Sequence, residues 1–227
     1  MKHLKRIVSA LVTAALVVGA ILYLPQSWFT PVFAVLGLAA TVEFFMLAAK
    51  KASVLSVKGF GVNLVGVLVL TFAFATLWTI ATNTVFGGNL VLLYVIAVVK
   101  LSDMGGFAFG TAFGRHKMCP SVSPNKSWEG LCGSVLASVL MSCIFVYAVG
   151  TPNGLPLWTT ILVGVNGALV GTGGDLAESA FKRWVGVKDS GTFMPAGLGG
   201  LLDMFDSLLF APWLMWQLIH EFSKAAC

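Results

Sequence analysis

Apolar runs of eighteen to twenty-three residues alternate with short polar breaks, at 7–24, 32–49, 62–82, 90–112, 131–149, 157–175 and 205–222. A helix needs about 20 mostly apolar residues to cross a bilayer. The pattern therefore predicts an all-α, polytopic transmembrane bundle of about seven spans. The breaks are of two kinds. Those at 25–31, 83–89 and 150–156 hold no Lys or Arg, whereas the others carry Lys2, Lys5 and Arg6, then Lys50, Lys51 and Lys58, then Arg115, Lys117 and Lys126, then Lys182, Arg183 and Lys188. Basic residues accumulate on the cytoplasmic side, so the N-terminus and the three basic loops are expected there. The first run follows a basic start but is long for a signal peptide and has no small-x-small cleavage site before Pro25, which predicts a retained span.

One stretch departs from the pattern. Residues 172–207, TGGDLAESAFKRWVGVKDSGTFMPAGLGGLLDMFDS, hold Asp175, Glu178, Asp189, Asp203 and Asp206, five of the nine carboxylates in the chain. Charge is expensive beside hydrocarbon, so such a concentration marks a functional site. Composition sharpens this: 58% of residues are hydrophobic and 10% charged, with a mean hydropathy of +0.92. The net charge of +5 reads as topology and attraction to anionic headgroups. No basic–aromatic interleaving accompanies it, so nucleic acid is not an expected partner. The four cysteines show no CxxC pairing and the three histidines lie far apart, which argues against a zinc site or a disulfide framework.

Other polar residues punctuate the spans. Glu43 either snorkels toward Lys50 and Lys51 or faces the bundle interior. Lys100 and Asp103, three apart, can neutralise one another on a helix face. Gly105, Gly106, Gly110 and Gly114 argue for a bent helix or a close helix contact. Pro120 and Pro124 then break the helix in a polar loop, and Ser127 is a candidate N-cap for the next span.

Within the charged stretch, the spacing puts Asp175, Glu178, Ser179, Lys182 and Arg183 along one helix face, with Asp203 and Asp206 again three apart. Carboxylates without His or Cys suit a hard cation such as Mg²⁺, which keeps waters and substrate phosphates as ligands. The neighbouring Lys and Arg suit phosphate, as do exposed amides of the glycine-rich loop. Phosphoryl or nucleotidyl transfer onto a lipid follows, with a juxtamembrane salt-bridge network as the structural alternative.

At these residues the chain resembles the integral-membrane phosphatidate cytidylyltransferases, or CDP-diacylglycerol synthases. The likeness rests on SDMGGFAFGTAFGRHKMCPSVSPNKSWEG (102–130) and GDLAESAFKRWVGVKDSGTFMPAGLGGLLDMFDS (174–207). Two positions depart from the family signature: Leu198 stands where histidine is usual, and Met204 replaces an arginine.

The resemblance implies a single integral-membrane domain, 1–227, with N-terminal spans to residue 89 and catalytic spans and loops from 90. It implies broken or bent helices around a cytoplasmic-facing polar site in the inner membrane. The implied substrates are CTP and phosphatidic acid, the products CDP-diacylglycerol and pyrophosphate, and the cofactor Mg²⁺, alone or with a second ion. Asp175, Asp203 and Asp206 would hold metal. Lys182, Arg183 and Lys188 would contact phosphates, with Asp189 orienting Lys188 or joining the metal shell. Asp103, Ser123, Lys126, Glu129, Glu178, Ser179, Gly199 and Gly200 would complete substrate binding. Members of the family often work as homodimers. The alternatives are a CTP-dependent polyprenol or phytol kinase, a transporter, and a catalytically altered paralogue.

Overall fold

The computed structural model describes residues 2–51, 57–83, 87–149, 156–188 and 200–225. Their order is α1 (Lys2–Tyr23), α2 (Gln26–Ala48), α3 (Val57–Thr82), α4 (Gly88–Phe113), β1 (Lys117–Cys119), β2 (Ser123–Ser127), α5 (Trp128–Val149), α6 (Leu157–Val185), α7 (Leu201–Phe205), a 3₁₀ turn (Asp206–Leu208) and α8 (Ala211–Ala225). Helices α2 to α6 are long and apolar enough to cross a membrane, which makes this a polytopic helical membrane protein.

The expected seventh span does not form as one element. Its run, 205–222, is divided between the end of α7, the 3₁₀ turn and the fifteen-residue α8. Conversely, α4 and α6 are continuous helices, so the break near the polar site lies at 206–210, beside them. The polar loop after α4 contains an antiparallel hairpin, with Lys117 opposite Ser127. Ser127 caps α5, its Oγ accepting the Gly130 N–H at 3.1 Å.

Two apolar clusters hold the bundle. One joins Leu77 and Ile80 of α3, Val95 and Val98 of α4, Val163 of α6 and Met215 of α8. The other packs Leu201 and Leu202 of α7 against Ala40, Phe44 and Leu47 of α2 and Phe74 of α3. That second cluster anchors the short α7, which five residues of backbone bonding could not stabilise alone.

Helix α6 positions the site. At 29 residues it is about 43 Å long against a hydrocarbon core of about 30 Å, so its charged final turns extend past the apolar layer. It stops at Gly186, whose φ of 85° lets the Gly186 and Val187 N–H groups close on the Lys182 carbonyl. Near its middle the backbone of the 3₁₀ turn presses against Gly174, where a Cβ would sit 2.5 Å from the Asp206 carbonyl oxygen. This contact brings Asp206 beside the charged face of α6.

Candidate active site

Asp175 and Glu178 lie on successive turns of α6, and Asp206 begins the 3₁₀ turn packed against them. One carboxylate oxygen from each lies within 4.8 Å of the others. The fourth acid behaves differently. Asp203 takes the Gly200 N–H on Oδ2 at 2.8 Å and the Lys182 ammonium on Oδ1 at 2.7 Å. Of the expected metal set, Asp175 and Asp206 lie together with Glu178, while Asp203 closes the start of α7. The reason is local: at the third position of α7, a side chain reaches back to the capping N–H.

Lys182 joins the two groups. Its Nζ lies 2.6 Å from Glu178 Oε2 as well as 2.7 Å from Asp203, on a side chain only 14% exposed. Glu178 is itself 7% exposed, and its carboxylate is paired with Lys182. Burial pushes the Asp203 carboxyl up, but the Gly200 N–H and the Lys182 ammonium outweigh it and hold it down at about 2. Asp206 moves the other way. Burial and then the Asp175 carboxylate push it up to about 6, against the pull of Lys100. Three carboxylates gathered this closely, one of them with a raised pKa, repel one another, and their oxygens are the donors a divalent cation takes.

The hairpin supplies the opposite wall. Lys126 Nζ pairs with Asp175 Oδ2 at 2.7 Å and donates to the Thr172 carbonyl at 3.1 Å. Between hairpin, α4 and α6 lies a cleft of about 240 Å³ lined by Asp103, Ser123, Asn125, Lys126, Thr172 and Asp175, among others. Ser207 ties its floor together. Its Oγ donates to Asp103 Oδ2 at 2.8 Å and accepts from Lys100 at 3.1 Å, while Lys100 also donates to the Met204 carbonyl at 2.9 Å. The expected Lys100–Asp103 pair is present at 3.7 Å.

The remaining expected residues fall into four groups. Ser179 donates to Asp175 at 3.3 Å and Gly200 caps Asp203, so both support the acids rather than face open space. Arg183 is exposed and its Nε donates to the Val122 carbonyl, fastening α6 to the hairpin tip, while Lys188 is exposed beyond the helix end. Glu129 does not line the cleft: it receives the Arg115 and His116 N–H groups and contacts His116 Nδ1 at 2.6 Å, bracing the hairpin. Asp189 and Gly199, with Leu198, lie outside the described residues. The sequence reading left Thr172, Asn125 and Ser207 out of the site. Two of them carried a signal: Asn125 offers its amide in the polar loop after α4, and Ser207 adjoins Asp206.

In a membrane bundle, an acidic cluster beside lysines is the donor set that a divalent cation and a phosphate group take. The sequence pattern of the Cytidylyltransferase family matches residues 64–222, and the chain belongs to that family. It is 43% identical over 119 residues to a phosphatidate cytidylyltransferase of Staphylococcus haemolyticus, an alignment covering 52% of this chain and 45% of the relative. Phosphatidate cytidylyltransferases of Staphylococcus epidermidis and Staphylococcus aureus are each 42% identical over the same length and the same shares. The chain thus spans about half the length of the curated relatives it matches.

Proposed function

We propose that this protein transfers the cytidylyl group of CTP to phosphatidic acid, forming CDP-diacylglycerol and pyrophosphate. The observation that carries the reading is the convergence of Asp175, Glu178 and Asp206 within 4.8 Å, flanked by Lys126 and Lys182, at the end of a membrane helix. The family membership and the phosphatidate cytidylyltransferase relatives support it.

A phosphatidate oxygen attacks the α-phosphorus of CTP. The bond from that phosphorus to the oxygen bridging the β-phosphate breaks, and pyrophosphate leaves with the electron pair. The lipid phosphate is already ionised near neutral pH, so no strong base has to make the nucleophile. The protein must instead hold two anions together and offset their charge. Asp175, Glu178 and Asp206 would hold Mg²⁺, which supplies charge neutralisation on the triphosphate. Lys126, released from Asp175 on binding, faces the cleft and meets phosphate there as a point charge. Lys182 stays paired with Asp203, which keeps its ammonium aimed at the acidic cluster. Ser123 and Asn125 offer hydroxyl and amide groups to the nucleotide. The site faces the cytoplasm of the inner membrane in this reading, supported by the basic loops that share its side.

Purified protein given Mg²⁺, phosphatidic acid and CTP labelled at the α-phosphate is expected to produce labelled lipid. Label entering lipid from the γ-phosphate instead would establish a kinase and refute the proposal.

A further inference from the structure

A second cavity meets the acidic cluster from the other side of α6. It measures about 400 Å³, in the range of small-molecule pockets, and lies between α3 on one wall and α6, α7 and the segment leading into α8 on the other. Val62, Val65, Val69, Phe181, Leu202 and Phe210 line it. Glu178 is the one charged residue among its lining, and its carboxylate also belongs to the acidic cluster and pairs with Lys182 at 2.6 Å. The cavity's rim lies among exposed apolar side chains of a membrane-spanning helix: Val65 is 60% exposed, and neighbouring Phe60, Leu64 and Leu68 on α3 are exposed as well. At Gly61, also on the lining, a Cβ would meet nothing within 4 Å, which leaves the wall open there. At Gly66 it would fall inside the Phe44 ring, so glycine lets that ring retreat to stack on Phe181 at 4.8 Å and form the inner wall.

The two compartments therefore differ in chemistry and share a boundary. The hairpin cleft is polar and contains Asp175; the α3 cavity is apolar and contains Glu178, one helical turn away. Their carboxylates belong to one cluster. An apolar slot open to hydrocarbon at one end and closed by a cation-suited carboxylate at the other fits an amphiphile with an anionic head. We propose that this cavity takes an acyl chain of the anionic glycerophospholipid substrate, so that the lipid enters sideways between α3 and α6 while the nucleotide enters from the hairpin. This rests on the lipid-phosphate reading above. Helix α6 is then the partition across which the two substrates meet.

The test is photolabelling of the full chain in phosphatidylcholine nanodiscs with phosphatidic acid bearing a diazirine midway along one acyl chain. Label is expected within residues 62–69 and at Phe181, displaced by excess unlabelled phosphatidic acid and not by added phosphatidylcholine. Label confined to Leu140 and Ile144 on the outer face of α5, or displaced equally by both lipids, would overturn the inference. Val65→Trp, which plugs the rim, is expected to raise KM for dioleoyl phosphatidic acid at least fivefold relative to the dihexanoyl lipid. An unchanged ratio in a folded variant would also overturn it. Labelling needs no turnover. Displaceable label in this cavity without cytidylyl transfer would support the cavity and refute the reaction, whereas transfer with label elsewhere would refute the cavity alone.

Discussion

The Leu202 N–H donates to Oε2 of Glu43 at 3.0 Å, across 159 positions of sequence. Glu43 is fully buried in α2, so it neither snorkels nor meets solvent. Its carboxylate instead serves a free N–H at the start of α7 and fixes the element that carries Asp203. Glu43→Leu leaves that donor unsatisfied and is expected to cost about 1–3 kcal/mol, with Glu43→Gln, which keeps an acceptor, costing less. Thermal unfolding in detergent checks the order. Equal losses in the two variants would show that the acceptor is unimportant.

Lys182 stands between two carboxylates that would otherwise face each other, so its removal exposes a repulsion as well as losing a cation. Lys182→Met is expected to destabilise the protein by about 3–5 kcal/mol, the usual scale for breaking a buried ion pair. Combining it with Glu178→Gln should recover part of that stability and none of the activity. Denaturant unfolding of the single and double variants, with transfer assays on both, separates the two roles.

The protonation of Asp206 predicts a pH dependence for metal binding. Its folded pKa of about 6 lies above the ordinary 3.8. The group's contribution to folding in metal-free protein is therefore complete below pH 3.8 and lost as pH rises through about 6. Cation binding requires the opposite, ionised form. Mg²⁺ affinity is expected to fall about tenfold per pH unit below 6 and to level off above it. Calorimetric titration between pH 5 and 8 measures this, and Asp206→Asn should weaken binding and flatten the slope.

Much of the site was legible because helical spacing is short-range physics. Asp175, Glu178, Ser179 and Lys182 interact along α6 as their three- and four-residue offsets require, Lys100 meets Asp103, and Ser127 caps α5. What spacing could not decide was which acids converge. Asp203 and Asp206 look equivalent in sequence, yet one is drawn to the Gly200 N–H and the other is pressed toward α6 by a turn. The partner of Glu43 was hidden for the same reason. The interruption of the seventh run is a different case: hydropathy at 205–222 is continuous, and the break shows instead in Pro212, which favours a helix start near Ala211.

Gly174 supplies a direct test of the α6–turn contact. Gly174→Ala forces a methyl against the Asp206 carbonyl and is expected to cost about 1–3 kcal/mol. It should also weaken Mg²⁺ binding by moving Asp206 away. Gly173→Ala is the control, since a Cβ there meets nothing within 4 Å. Comparable Mg²⁺ affinity in the two variants would show that the backbone contact does not set the cluster.

That contact has an implication for ion choice. Where main chain rests directly on main chain, no pliable layer of side chains lies between the two supports, so the gap cannot widen to suit a larger guest. Calcium, which takes six to eight oxygens at about 2.3–2.6 Å, asks for more room than magnesium at about 2.0–2.1 Å. Such stiffness would make the site a gauge of ionic radius, accepting the smaller ion and turning the larger one away.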